Sequence, residues 1–320
     1  MPRSTGPLGD DVNHVRSGSD VGLARHMSIT LQSGTPALLD EVVEAVASWQ
    51  HEGVPVQVHP GDFGWNWSFG SEALAREVRM WRREDQILAT GMVDRKDGLI
   101  RMAIAPSVDA DEVFAAQLLA DLSDPGRGVL PANRGTVEAR FGAAFRGLLH
   151  QSGWVADEPW TPFRRDLTAP VEDCGLRIGV LDAGHVEDRI LQDRVAVGRA
   201  SFPNSTFTLE RWRAMAATSA YRRARCLVAY DEDGTAVAAT TVWSAGRGRP
   251  GLIEPLGVHR DHRGRGHGRA ITLAAAAVLQ RLGSSSATVC TPSSNLGGVA
   301  AYMSAGFEKL PEVTDFRRPT

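Results

Sequence analysis

Cysteine is scarce in this sequence of 320 residues, which contains only Cys174, Cys226 and Cys290 and no C-x-x-C pair. Three widely spaced cysteines give no basis for a disulfide framework or a structural zinc site, and they are typical of a protein in the reducing cytosol. The histidines at 259, 262 and 267 have no cysteine or acidic cluster beside them. We therefore expect a cytoplasmic protein that binds no metal.

Long apolar runs and an excess of charge of one sign are also absent. No segment approaches the roughly 18–20 apolar residues of a membrane-spanning helix. The net charge of −3 gives no general attraction for nucleic acid or for an anionic membrane. We expect neither as a partner, and we expect a monomer or a homodimer. Residues 1–26 lack the apolar core of a secretory signal and are rich in Gly, Ser, Asp and Pro, so we interpret them as a disordered leader.

Three short segments recur at a constant spacing. Gly98-Leu99-Ile100 recurs as Gly251-Leu252-Ile253, and the glycine–aromatic pair at 153–154 recurs at 306–307. Phe-Arg-Arg at 163–165 recurs at 316–318. The differences 251 − 98, 306 − 153 and 316 − 163 are all 153. Matches at one offset without a gap predict two tandem copies of one fold, over residues 27–170 and 171–320.

The pattern of the second copy predicts alternating strands and helices. We expect strands at 176–181, 226–230, 236–244, 251–258 and 287–291, two short strand pieces within 307–316, and helices at 186–200, 208–220, 269–282 and 296–304. This order is α+β, with a mixed, mostly antiparallel sheet flanked by helices.

A glycine-rich loop joins the predicted strand 251–258 to the next helix. Glycines at 264, 266 and 268 let the backbone approach a phosphate, and the first N–H groups of the helix attract an anion. Arg265 and Arg269 can add charge-assisted contacts. The loop is neither a dinucleotide-binding G-x-G-x-x-G nor a Walker loop, and without a wider basic face it is not typical of a nucleic-acid site. It predicts a site for a diphosphate or a similar anion.

The segment Arg263–Gly268 reads R-x-x-G-x-G and follows a strand that ends in Gly257-Val258. It resembles the acetyl-CoA motif of the GNAT acetyltransferase superfamily. Asn295, Tyr302 and Gly306-Phe307 then follow with a spacing similar to the family's N-x(6)-Y-x(3)-G-F ending. The resemblance covers about 145 residues closely and, through the repeat, extends distantly to the first half.

The resemblance implies an acetyl-CoA-dependent N-acetyltransferase that acts on a primary amine of a small molecule, in a ternary complex without a covalent acyl-enzyme. It implies that Tyr302 protonates the departing coenzyme A thiolate. The residues that it implies for acetyl-CoA binding are Leu256, Gly257, Val258, Arg263, Gly264, Arg265, Gly266, His267, Gly268, Arg269 and Asn295.

Glu254 is the candidate catalytic base. It lies in the strand before the loop, where alternation places it on the same face as Leu256 and Val258. Its apolar neighbours predict burial, which would raise the pKa of its carboxyl group toward the range of a useful base. The alternative is a salt-bridged strand glutamate without a catalytic role, and Tyr302 has a similar alternative as a core aromatic residue.

The first copy lacks these features. Ala110–Ala115 replace the glycine-rich motif and bring Asp111 and Glu112 to the place of the phosphate, while Leu149 stands at the position of the tyrosine and Arg101 at that of the glutamate. We interpret this half as a degenerate copy that does not bind acetyl-CoA, because the acids would repel a phosphate. The aromatic cluster Phe63–Trp67 is either a ligand platform or a packing element, and we favour packing.

Two other functions stay open at this point. A mycothiol-synthase-like acetyltransferase is one, because that enzyme is also a tandem GNAT protein. A non-catalytic acyl-CoA-binding regulator is the other, although the presence of both Tyr302 and Glu254 argues against it. The sequence does not indicate which amine is the acceptor.

Overall fold

The computed structural model describes residues 28–55 and 57–319, so the predicted leader at residues 1–26 lies outside the described residues. The strands of the first half are β1 (Ile29–Ser33), β2 (Val78–Arg83), β3 (Gln86–Asp94), β4 (Leu99–Ile104), β5 (Thr136–Glu138) and β6 (Val155–Asp166). Its α-helices are α1 (Leu39–Ser48), α2 (Pro60–Asn66), α3 (Ser71–Glu77), α4 (Glu112–Ser123) and α5 (Ala143–Gln151).

The second half repeats much of this order. Its strands are β7 (Arg177–Leu181), β8 (Ala224–Tyr230), β9 (Ala236–Ser244), β10 (Gly251–Val258), β11 (Ser286–Pro292), β12 (Glu308–Lys309) and β13 (Val313–Arg317). Its α-helices are α6 (Asp188–Ser201), α7 (Leu209–Ala216), α8 (His267–Arg281) and α9 (Leu296–Ser304). The same order of elements begins at β2 in the first half and at β8 in the second. It consists of a hairpin, a third strand, a long helix, a strand, a shorter helix and a final strand segment.

The expected α+β class is confirmed, and most predicted elements of the second half lie within a few residues of the observed ones. The strand at 251–258 and the helix at 296–304 have the predicted bounds. The helix predicted at 208–220 is wrong at its end, because α7 stops at Ala216. There the N–H and the hydroxyl of Thr218 both donate to the carbonyl of Met215, in a tight turn that ends the helix.

One continuous mixed sheet joins the halves in the order β1-β2-β3-β4-β5-β13-β6-β11-β10-β9-β8-β7. The final strands are exchanged: β6 of the first half pairs with β11 and β13 of the second, and β13 pairs with β5 of the first. The division of the chain at residues 170 and 171 stays a prediction. Across it, the two halves share backbone hydrogen bonds at the centre of the sheet.

Helix α2 brings the first half into close contact with the second. A Cβ added at Gly61 or Gly64 would lie 2.4 Å or 2.3 Å from a ring atom of Trp243 on β9. Any side chain at either position would therefore displace the indole, so the two glycines allow α2 to pack closely against β9. One hydrophobic core runs through this contact from the first half into the second, and another surrounds α8.

The parallel strands β10 and β11 open the sheet beside the glycine-rich loop. They pair at Gly251–Ala287 and Leu252–Thr288 but not beyond, although both strands continue toward the loop. On the other edge of β10, the register with β9 shifts between Ile253 and Leu256. Because β10 and β11 are not paired beyond Leu252, a gap lies between their carboxyl ends, and we call this gap the cleft. The shift in register between β9 and β10 marks a bulge at Glu254. Within the described residues, no helix is long and apolar enough to cross a membrane.

Candidate active site

The glycine-rich loop forms an anion cradle at the start of α8. Gly264 and Gly266 have φ angles of 76° and 82°, in the left-handed region that favours glycine. Gly266 is the N-cap of α8, and no side chain of the described residues caps this helix start, so its first N–H groups are available to an anion. At Gly268 an added Cβ would lie 3.1 Å from the Cβ of Ala301. The loop therefore leaves the backbone at the start of α8 open to an anion.

Two arginines of the predicted cofactor set hold the cradle in place. Arg263 donates through Nη2 to the carbonyl of Ser201 at 2.9 Å, which ties the loop to the end of α6. Arg269 donates through Nε to the carbonyl of Ser304 at 2.9 Å, which ties α8 to the end of α9. Arg265 is exposed at the rim of the cradle. Direct contact of these arginines with a cofactor stays a prediction.

Asn295 and Gly257 border the cleft between β10 and β11. Asn295 caps α9 by accepting from the N–H of Gly298 at 3.2 Å, and it donates to Thr291 on β11 at 2.9 Å. A Cβ at Gly257 would lie 2.5 Å from the Cβ of Ser201, so glycine lets α6 approach β10 closely. Both residues shape the cleft, and His267 lies half-buried in the first turn of α8.

The bulge on β10 separates Glu254 from the residues that follow it. Because Ile253 pairs with Val242 and Leu256 pairs with Thr240, Ile253 and Leu256 lie on the same face of the sheet. The prediction that Glu254 shares a face with Leu256 and Val258 is therefore wrong: one extra residue in β10 interrupts the alternation. Leu256 and Val258 pack toward the core around α8, while Glu254 lies on the opposite face.

Burial and the negative charge of Asp62 raise the pKa of Glu254 to about 7. The positive charge of Arg101 acts in the opposite direction. The expected upward shift is thus present, although its electrostatic causes lie in the first half of the chain. A carboxyl group with this pKa is close to half ionised at neutral pH and is able to accept a proton there.

Tyr302 lies on α9 with 7% of its surface exposed. Its ring packs between Phe163, at a centroid distance of 5.4 Å, and Phe307, at 6.3 Å. Burial and the negative charge of Glu254 raise the pKa of the Tyr302 hydroxyl above its usual range. The hydroxyl therefore holds its proton at neutral pH, and the fold brings the two predicted catalytic residues within electrostatic reach of each other.

Charged residues of the first half, together with Asp315 of β13, form a cluster that reaches Glu254. Arg101 on β4 pairs with Asp62 of α2, with Nη1 and Oδ1 2.9 Å apart, and with Glu138 of β5, with Nε and Oε2 2.9 Å apart. Arg140 lies 3.7 Å from both Glu138 and Asp315. Although burial opposes it, the guanidinium groups of Arg101 and Arg140 hold the pKa of Glu138 below its ordinary value. Except for Arg101, these residues carried no recognisable sequence signal.

Two hydrogen bonds fix the backbone of the bulge. The indole of Trp243 donates to the carbonyl of Glu254 at 2.7 Å, and the hydroxyl of Thr240 donates to the carbonyl of Pro255 at 2.9 Å. Because Gly61 and Gly64 press against the same indole, helix α2 of the first half supports the position of Glu254.

A cavity of about 470 Å³ lies beside the bulge, where Pro255 forms part of its wall. Its aromatic wall includes Trp65, which stacks on Phe207 at a centroid distance of 4.9 Å. Within the cluster Phe63–Trp67, Phe63 and Trp67 are buried in the core, whereas Trp65 reaches this cavity. The cluster thus includes both packing residues and a residue of a cavity wall.

The corresponding helix start of the first half is capped by a side chain. Asp111 caps α4 by accepting from the N–H of Phe114 at 2.9 Å, and it pairs with Arg83 at 3.0 Å. The strands β4 and β5 remain paired as far as Arg101 and Glu138. A carboxylate occupies the helix N-terminus here, at the end where the second half has an uncapped glycine.

Residues 189–307 match the model of the family described as Acetyltransferase (GNAT) family. The matched segment is thus similar to GNAT acetyltransferases, and it includes the strand, cradle and tyrosine described above. No curated protein gives a significant match. No group of three or more His, Cys, Asp or Glu residues within the described part of the chain is arranged to hold a metal ion.

Several solved structures share the fold over nearly the full chain. A tandem GNAT protein from the clavulanic acid biosynthesis pathway is 14% identical, with a TM-score of 0.58 and coverage of 91% of this chain and 98% of the other. A GNAT-family acetyltransferase from Colwellia psychrerythraea has the same identity and TM-score, with coverage of 91% and 99%. A GCN5-related N-acetyltransferase from Sphaerobacter thermophilus is 19% identical, with a TM-score of 0.53 and coverage of 91% and 95%. At these identities the similarity establishes the fold alone.

Proposed function

We propose that this protein is an acetyl-CoA-dependent N-acetyltransferase that acetylates a primary amine of a small molecule. The observation that carries the proposal is that Glu254, with a pKa of about 7, and the protonated Tyr302 lie within electrostatic reach of each other in the half that has the uncapped start of α8. Acetyl-CoA, when bound, supplies the acetyl group as a thioester.

The residues that would hold acetyl-CoA are those of the cleft and the cradle. Leu256, Gly257 and Val258 lie on the strand that borders the cleft, and Asn295 lies across it. The loop from Gly264 to Gly268 offers backbone N–H groups to the pyrophosphate, with Arg265 at its rim. The left-handed glycines and the close contact of Gly268 with α9 support this assignment.

Proton movement is assigned to two side chains. The carboxylate of Glu254 takes the proton that the attacking amine must lose, directly or through water. The Tyr302 hydroxyl gives a proton to the sulfur that leaves when the new amide bond forms. The reaction thus converts an amine and a thioester into an amide and a thiol, and each proton has a named donor or acceptor. The transfer is direct, without a covalent acyl-enzyme.

The first half acts as a degenerate GNAT copy that has no acetyl-CoA site of its own. Asp111 at the helix start, where the second half has its cradle, supports this assignment. In the proposal, its Asp62 and Arg101 tune the carboxyl group of Glu254.

The test is a coenzyme A release assay over a panel of primary amines, with acetyl-CoA binding measured separately by calorimetry. An N-acetyltransferase releases coenzyme A in an amine-dependent manner and forms an equal amount of acetylated amine. Binding of acetyl-CoA without amine-dependent turnover by any amine of the panel would instead favour a non-catalytic acyl-CoA-binding protein.

A further inference from the structure

Arg194 is a fully buried cation without an anionic partner among the described residues. It lies on α6 with 2% of its surface exposed. Its Nη2 donates to the hydroxyl of Thr241 at 3.3 Å, and its buried Nε–H has no acceptor in the described part of the chain. The guanidinium also lies over the Phe207 ring, 5.2 Å from its centroid, but neither this ring nor Thr241 neutralises the charge. A buried charge without a counter-ion is strongly unfavourable, so this side chain indicates a place for an anion.

Arg194 is one of the residues that line the cavity of about 470 Å³ beside the bulge. Gly198, one turn further along α6, leaves room for it, because a Cβ there would lie 2.9 Å from Nη1. A second guanidinium, that of Arg211, lines the same cavity and lies over the ring of Phe69 at 4.3 Å. No aspartate or glutamate of the described chain is among the residues that form the cavity wall. The cavity therefore combines two positive charges with aromatic walls.

The cavity lies on the side of the sheet to which Glu254 points. Thr241, the partner of Arg194, stands on β9 opposite the bulge, between the residues that pair with Ile253 and Leu256. It shares a face with Trp243, whose indole holds the carbonyl of Glu254. Pro255, the next residue, forms part of the cavity wall. A ligand in the cavity is thus bordered by the guanidinium of Arg194 and by the strand segment that carries the proposed base.

We propose that this cavity is the acceptor site and that the acceptor is a primary amine bearing a carboxylate, which Arg194 binds, and an apolar portion, which Trp65 and Phe207 contact. This proposal rests on the proposed N-acetyltransferase function and specifies its substrate class. Arg194 is a binding residue for the carboxylate. It takes no part in the proton transfers assigned to Glu254 and Tyr302.

The experiment compares amines that bear a carboxylate with the corresponding uncharged amides. The probes are L-phenylalanine, L-leucine, 4-aminobutyrate and 6-aminohexanoate, each beside its primary amide. Both turnover and calorimetric binding to the protein saturated with coenzyme A are measured. At least one acid is expected to exceed its amide by about 10–10² in kcat/KM and in affinity, because the amide cannot form a charge-assisted hydrogen bond with Arg194.

The variants test whether Arg194 causes the preference. Arg194→Met is expected to abolish it while acetyl-CoA affinity is unchanged, and Arg194→Lys is expected to retain part of it, since the charge remains but the fork geometry is lost. Arg199→Met removes the same charge from an exposed position of the same helix and should leave the preference intact. A buried unpaired cation replaced by an apolar chain of similar length is not expected to unfold the protein.

Three results would overturn the proposal: amides that bind and react as well as the acids, a preference that survives in Arg194→Met, or no binding of any acid of the panel. Failure of the proposed function has a different signature, namely no amine-dependent release of coenzyme A by acids or amides. Calorimetric binding of the acids still decides the role of Arg194 in that case.

Discussion

Arg101 and Glu254 occupy corresponding positions of the two halves, 153 residues apart (254 − 101), and their side chains interact in one charged cluster. The guanidinium of Arg101 lowers the pKa of Glu254, while Asp62 both raises that pKa and holds Arg101 in a 2.9 Å ion pair. The first half thus contributes charge to the candidate site of the second half. The position that corresponds to Glu254 carries a cation that lowers the pKa of Glu254.

Asp62→Asn is expected to move the pH dependence of turnover to lower pH. It removes a negative charge that raises the pKa of Glu254, and it frees Arg101 to stabilise the ionised carboxylate, so both effects have the same sign. The acid limb of the kcat/KM profile, which should lie near pH 7 in the wild type, should shift downward by on the order of one pH unit. An unchanged acid limb in a folded variant would show that another group controls it.

Glu254→Gln should lose more activity near neutral pH than in basic solution. The wild-type rate should rise through about pH 7 as Glu254 loses its proton, and in basic solution the amine is deprotonated without help. A loss of activity by the same factor at every pH would instead assign Glu254 to substrate positioning.

The raised pKa of Glu254 also affects stability. Between the ordinary pKa of a glutamate and about 7, the folded state holds a proton that the unfolded state has lost, so the free energy of unfolding falls as pH rises through this range. Thermal unfolding of Glu254→Gln should lack this fall in stability.

Tyr302→Phe is expected to lower kcat by about 10²-fold with little change in acetyl-CoA affinity, because the ring remains packed between Phe163 and Phe307 while the proton donor is lost. Tyr230→Phe is the matched control, because it also removes a tyrosine hydroxyl from the second half. That hydroxyl donates to Asp193 at 2.9 Å. Full activity in the Tyr302 variant would mean that solvent protonates the leaving thiolate.

Gly266→Glu should abolish acetyl-CoA binding by placing a carboxylate where the pyrophosphate is expected, with an affinity loss of at least about tenfold. Gly153→Glu is its control: both glycines have positive φ, 82° and 79°, and neither has an atom within 4 Å of an added Cβ, so the backbone strain is matched. Calorimetry on both variants, with circular dichroism to verify folding, distinguishes the loss of anion binding from the effect of backbone strain at a glycine turn. Undiminished affinity in the folded Gly266 variant would contradict the assignment of the cradle.

One acetyl-CoA should bind per chain. In the first half the carboxylate of Asp111 caps α4, so the uncapped helix start that forms the anion cradle of the second half is not repeated there. Calorimetric titration should give a stoichiometry near one, and Gly266→Glu should remove it entirely. A second equivalent, or binding that remains in that variant, would place a cofactor site in the first half.

Much of the second half was readable from its sequence, because local features define it. The hairpin, the strand at 251–258, the helix at 296–304 and the glycine loop between strand and helix follow from short-range pattern and turn chemistry. The family motif lies within the same local segments, which the GNAT match at 189–307 covers. The upward direction of the shift in the pKa of Glu254 also followed from its apolar neighbours.

Only the tertiary structure decided how the halves combine. The exchange of β6 and β13 depends on hydrogen bonds between strands far apart in the chain, and the bulge that turns Leu256 away from the face of Glu254 depends on the register with β9. The charges of Asp62 and Arg101 act on Glu254, whereas Arg194 has no carboxylate partner among the described residues. Both facts depend on burial and three-dimensional distance, which determine electrostatic energy. Sequence separation carries no information about either quantity. The sequence therefore determined the anion-binding character of the glycine-rich loop, and the fold determined the electrostatic environment of Glu254 and Arg194.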